Sequence, residues 1–170
     1  ENKRPEECLE LTECVSGDTV FAHSAAFCHA VEKINGIIVP LKAQYQRIIF
    51  LELERMYNHV ADMGGIAVDV GFSFPHAYSS VTKESLLALN EKLTGSRYLK
   101  GINVIGGVSK DLTESDLGLL RENLKDVLKD FKDLKEILLS NVSFMDRVDS
   151  SGILEKKTAV DLGISGLAAR

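Results

Sequence analysis

One stretch of this chain limits its fold more than any other. Leu117, Leu120, Leu124, Val127, Phe131, Leu134 and Leu138 recur at steps of three and four, a spacing that only an α-helix gathers on one side. Lys125, Asp126, Lys129, Asp130, Lys132, Asp133, Lys135 and Glu136 fill the positions between, as a solvated face rather than a binding patch. Thr113, ahead of Glu114 and Asp116, supplies a helix start: a hydroxyl to accept a free N–H, and acids at the positive end of the helix. Such a helix has to lay its apolar stripe on other elements, which predicts a helix-packed domain.

The rest of the chain offers partners of the same kind. Pro5, followed by Glu6, Glu7, Leu9, Leu11 and Val15, starts a helix that Ser16-Gly17-Asp18-Thr19 interrupts. From Val20, the residues Ala22, Ala25, Ala26, Ala30, Val31 and Ile34 predict a helix with a narrow packing face, stopped by Asn35-Gly36. After Pro40 the longest helical run reaches from Leu41 to near Met63, with Gly64-Gly65 as its stop or bend. Phe74-Pro75 is expected to break whatever precedes it, and Ser80 or Thr82 to cap a helix running through Leu86, Leu87, Leu89 and Leu93 to Gly95. Tyr98 to Val108 reads as a short extended piece, and Asn141 to Ile153 as extended or looped. A last short helix runs from Leu154 or Glu155 to Leu162, ending at Gly163. The expected class is mostly α, an up-and-down helical bundle core with short extended segments.

Composition narrows the partners. With 170 residues, 45% of them hydrophobic, three Pro and no Trp, residues 1–170 are expected to form one helical domain rather than a turn-rich sandwich. A formal net charge of -5 provides no field for a phosphate backbone, so nucleic acid is not an expected partner. The apolar run Ile48-Ile49-Phe50-Leu51 is followed by Glu52, Glu54 and Arg55, far short of the ~18 to 20 apolar residues of a membrane span. Three cysteines, Cys8, Cys14 and Cys28, are odd in number and lack metal-site spacing, which suits reduced thiols better than a disulfide framework. The chain opens on Glu1 without a Met and closes in a helix-like run from Gly166 to Arg170, so an internal segment of a longer subunit is the expectation.

No G-x-G-x-x-G, no phosphate loop ending in Gly-Lys-Ser and no H-E-x-x-H occurs, so hydride chemistry on a nicotinamide would fall to another subunit. What stands out are polar residues where apolar ones would be cheaper. Asp18 and Thr19 stand at a helix entrance, as caps or as site residues, and His23 lies on a small-residue face, as a packing histidine or a ligand. Asp69, inside Ile66-Ala67-Val68-Asp69-Val70-Gly71-Phe72, is expected to be paired, protonated or turned to a cavity, which suits proton transfer as well as a salt bridge or a cap. Glu54, Arg55 and His59 are expected to form a buried structural network.

Phe21-Ala22-His23-Ser24, Ala30-Val31-Glu32-Lys33, Val39-Pro40, Leu51-Glu52-Leu53-Glu54-Arg55 to His59, Asp69-Val70-Gly71, Leu93-Thr94-Gly95-Ser96-Arg97, Ile105-Gly106-Gly107-Val108 and Ser165-Gly166 to Arg170 fall in order along the chain. Together they resemble the superfamily that joins the quinone-reducing large subunit of respiratory complex I to the large subunits of membrane-linked nickel-iron hydrogenases, formate hydrogenlyase included. In the hydrogenase branch the segment ahead of Phe-Ala-His-Ser carries C-G-x-C, whose thiolates bind the metals. Here it is Ser16-Gly17-Asp18-Thr19; hydroxyls are poor ligands for soft nickel, so the resemblance implies that no standard nickel-iron centre forms. Cys14 lies two residues ahead of the first thiolate position and does not substitute for it.

In the complex I branch the matching region belongs to the quinone headgroup cavity, with a Tyr where this chain has Gly17. Asp69 resembles the family Asp that pairs with a quinone-binding His and takes part in its protonation. The resemblance thus implies Asp69 and His23 as proton-handling candidates, with Ser16, Asp18 and Thr19 lining a degenerate metal site used for quinone or proton coupling. It implies no cofactor within the segment, an iron-sulfur cluster on a small partner subunit, membrane subunits as further partners, and attachment at the cytoplasmic side of the membrane. The alternatives are a genuine nickel-iron hydrogenase or formate hydrogenlyase component and a non-catalytic coupling or assembly subunit.

Overall fold

The computed structural model describes residues 2–165. In chain order they form α1 (Pro5–Thr12), α2 (Val20–Asn35), α3 (Leu41–Asp69), α4 (Ser73–Thr94), β1 (Asn103–Val104), β2 (Gly107–Val108), α5 (Glu114–Ser140), α6 (Val142–Val148) and α7 (Lys156–Asp161). The class is mostly α, as the periodicity predicts. The terminal run Gly166 to Arg170 lies outside the described residues.

α5 forms as its sequence requires. Thr113 Oγ1 accepts from Asp116 N at 3.2 Å while Asp116 Oδ2 accepts from Thr113 N at 2.9 Å, a reciprocal box that satisfies two end donors. Leu120, Val127, Leu134 and Leu138 are buried on its inner side. α3 packs along α4, which in turn packs on α5, and Phe50, Leu53, Tyr57, Leu86, Leu89 and Leu93 meet in the main core. Burial of each such side chain contributes ~1.5–3 kcal/mol.

Three expectations are corrected. Gly64-Gly65 neither stops nor bends the long helix, which continues to Asp69. Gly64 faces α4, and a Cβ there would overlap the buried Ser79 hydroxyl, so this glycine serves close helix packing. Phe74-Pro75 does not break the chain but starts α4. Pro75 occupies the third helical position, where a backbone N–H would have had no partner within the helix. Ser80 and Thr82 therefore lie inside α4 and bond back to His76 O and Tyr78 O, at 2.8 and 3.4 Å. Third, the stretch expected to be extended after Asn141 contains α6, capped by Asn141 Oδ1 accepting from Phe144 N at 2.8 Å. α6 is held by Phe144, which packs with Val60, Ala67, Leu134 and Leu138 in a second core cluster.

The extended piece is an antiparallel hairpin pairing Asn103 with Val108 and Val104 with Gly107, and Gly106 takes φ 91° in its turn. A buried ion pair fastens it to the helices. Arg47 donates to Glu32 at 2.7 and 3.0 Å and to the carbonyls of Val104 and Gly107 at 2.8 and 2.9 Å. Gly106 N donates to the same Glu32 carboxylate at 2.8 Å. Burial acts to raise the Glu32 carboxyl, but the Arg47 and Gly106 bonds outweigh it and hold it below the usual carboxylate range.

Candidate functional site

The site grows from the way α2 begins. Thr19 stands at the cap position yet makes no side-chain cap bond. The cap comes from α3 instead: Glu54 accepts from Phe21 N at 2.7 Å and from Ala22 N at 2.8 Å, a carboxylate at the positive end of a helix. One turn on, Tyr57 Oη donates to Asp18 O at 2.6 Å, and Asn58 Nδ2 donates to the same oxygen at 2.9 Å. Three residues of one helix face thus grip the segment that leads into α2. With Phe21 N and Ala22 N taken by Glu54, the Thr19 side chain makes no cap bond.

Beside this grip opens a cleft of about 360 Å³, whose lining includes Asp18, Thr19, Arg55, Asn58, His59 and Asp62 together with Glu54. Burial pushes the Glu54 carboxyl above its usual range, against the Phe21 and Ala22 N–H groups, the Tyr57 hydroxyl and His23, which all act to lower it. Burial, followed by the Glu54 and Asp18 charges, pushes the Tyr57 phenol up, so it remains a donor. The cleft presents hydroxyl, amide and carboxylate groups that can hydrogen-bond carbonyl or hydroxyl oxygens.

Of the residues singled out in the sequence, Asp18 and Thr19 reach this cleft. Ser16 is outside its lining, its hydroxyl donating to Asp18 Oδ1 at 2.9 Å, and His23 is half-buried and also outside the lining. The expected network of Glu54, Arg55 and His59 is corrected. Only Glu54 is buried; Arg55 is exposed and pairs with Glu52 at 3.0 Å, and His59 is exposed on the cleft wall. The buried pair is Glu54 with Tyr57, and half-buried Asn58 shares the Asp18 carbonyl with Tyr57. Asp62 is a cleft residue that the sequence pattern did not single out, although its spacing of four from Asn58 places both on one side of α3.

Asp69 is corrected in its surroundings. Val60, Gly64 and Ala67 are the buried side of α3 at this end, so Asp69 points away from the core and is exposed, between exposed Ile66 and Val68. It lies seven residues beyond Asp62, two turns along the same face, ~10 Å by helical rise.

Nickel-iron chemistry of the hydrogenase kind needs thiolates, and the cleft lining contains none. Cys14 is exposed, with its thiol against Glu10 O at 3.5 Å, and Cys28 is buried in α2. Among the described residues no three His, Cys, Asp or Glu side chains converge as metal ligands. The donor set does not fit that centre. Nor is any described helix long and apolar enough to cross a membrane.

The family model described as respiratory-chain NADH dehydrogenase, 49 Kd subunit, matches residues 69–170. An NADH-quinone oxidoreductase subunit of Methylacidiphilum infernorum (isolate V4) is 30% identical over 166 residues, 98% of this chain and 40% of that protein. Formate hydrogenlyase subunit 5 of Escherichia coli (strain K12) is 32% identical over 160 residues, 94% of this chain and 28% of that protein. The membrane-bound hydrogenase subunit alpha of Pyrococcus furiosus is 28% identical over 162 residues, 95% of this chain and 38% of that protein. The chain therefore spans 28 to 40% of the length of these curated relatives.

Proposed function

Because the chain belongs to the family of the 49 Kd subunit of respiratory-chain NADH dehydrogenase, we propose that it forms the helical core of the large subunit of a membrane-attached redox complex. In this reading residues 1–170 are one domain of that subunit. Electrons arrive from an iron-sulfur cluster on a small partner subunit, and membrane subunits anchor the assembly at the cytoplasmic face.

The observation that carries the reading is the cleft at the start of α2. At the segment where the hydrogenase branch carries its thiolates, this chain has Asp18 and Thr19 lining a polar hollow, and Glu54, Tyr57 and Asn58 hold the backbone there. Such a hollow suits the oxygens of a quinone headgroup, or the passage of protons, better than a soft metal. Asp69, an exposed carboxylate two turns beyond the cleft on the same helix face, is the first proton-handling group, and His23, half-buried on α2, is the second candidate.

Nickel and iron content of the complex, purified anaerobically with its partner subunits, tests this. Iron accounted for by iron-sulfur subunits, without nickel, is expected. Nickel near one per complex overturns it in favour of a hydrogenase component, the role that two of the relatives are named for. A coupling subunit without chemistry of its own predicts instead that Asp69→Asn leaves turnover unchanged.

A further inference from the structure

The end of α3 is built more firmly than a surface helix needs. Gly71 stands at φ 81°, its N–H donates to Val68 O at 2.9 Å and Phe72 N–H donates to Ala67 O at 2.8 Å, the paired bonds of a Schellman termination. Val70 O takes a further bond from across the fold: Arg147, in the last turn of α6, donates to it through Nη1 at 2.7 Å. α6 is itself set against this junction, with Phe144 and Phe72 ring centroids 6.2 Å apart.

Asp69 is the last residue of α3, beside the carbonyl that Arg147 holds. A carboxylate at the negative end of a helix is disfavoured, and none of the ion pairs among the described residues involves Asp69. The guanidinium brings a cation to that helix end and ties its backbone to a separate element. We propose that Arg147 is a positioning residue for Asp69, fixing the α3 terminus from which the carboxylate meets its proton donor or acceptor. The inference rests on the reading of Asp69 as a proton-handling group.

The test is a double-mutant cycle on proton-coupled turnover in the intact complex, with thermal unfolding followed alongside. Arg147→Met is expected to lower turnover roughly threefold or more, and Arg147→Lys to recover part of the loss. In an Asp69→Asn background, Arg147→Met is expected to lower turnover no further, while its effect on unfolding persists. Equal losses in both backgrounds overturn the inference, because Arg147 then acts through stability alone. Unchanged turnover in Arg147→Met overturns it too, and leaves the reading of Asp69 standing if Asp69→Asn is impaired. Unchanged turnover in Asp69→Asn removes that reading and the inference with it.

Discussion

Glu54→Gln takes one acceptor away from the cap of α2. The side chain is 2% exposed, so the replacement keeps its shape and changes only what it can accept. Its amide oxygen can take one of the Phe21 and Ala22 N–H groups, now without charge, and its NH₂ then faces the other donor. Leaving one of these buried N–H donors without an acceptor costs about 1–3 kcal/mol. At roughly 2–4 °C per kcal/mol for a chain of this size, the midpoint should fall by about 2–12 °C in a thermal scan followed by far-UV circular dichroism. A change within about 0.5 kcal/mol, the range of a neutral surface substitution, would refute the cap as a source of stability.

The same pair of proteins decides which force dominates at this carboxyl. Burial raises Glu54 in the folded state, so its contribution is fully present below the ordinary value of 4.5 and is lost as pH rises through the raised folded value. The gap between wild type and Glu54→Gln should therefore narrow from acid toward neutral pH. A gap that widens would mean that the helix N–H groups outweigh desolvation.

Neighbouring glycines should respond in opposite senses. Gly65→Ala meets open space and should stabilise by up to ~1 kcal/mol, whereas Gly64→Ala collides with Ser79 and should destabilise by ~1–3 kcal/mol, both read from urea unfolding. Arg47→Met leaves Glu32 buried without its cation and should cost ~3–5 kcal/mol in the same assay. Because Glu32 is held low, its stabilisation is present above 4.5 and lost as pH falls through the folded value; acid unfolding of the variant should lack that component. Burial pushes the Cys28 thiol up to about 11, so the stability it contributes is fully present below 9.0 and is lost as pH rises from there through about 11. Cys28→Ala should flatten this part of the alkaline unfolding profile.

The parts of the fold legible in the sequence are those governed by local pattern. The leucine spacing and the Thr113 box mark α5, and Asn35-Gly36 marks the end of α2, where Gly36 takes φ 65°. What stayed hidden depends on contacts between distant residues. Gly64 is a helix breaker by propensity, and only the approach of Ser79 shows why it sits inside a helix. Phe144 holds α6 through a pocket made by α3 and α5, which no local signal announces. The site divides in the same way. Asp18 and Thr19 are conspicuous at a helix entrance, but the bond from Tyr57 across 39 positions is a product of packing. The apolar letters around Asp69 suggested burial because composition does not say which side of a helix faces inward.

α3 carries both ends of the proposed chemistry on one uninterrupted rod. Asn58, at the cleft, and Asp69 are separated by eleven residues, ~16 Å at helical rise, with no hinge between them. Such a rod holds two stations at a constant gauge, too far apart for one proton to hop directly. Traffic between them has to run outside the helix, along whatever water or partner surface covers its exposed side. A displacement of the rod at one station is felt at the other as a tilt rather than absorbed along the way.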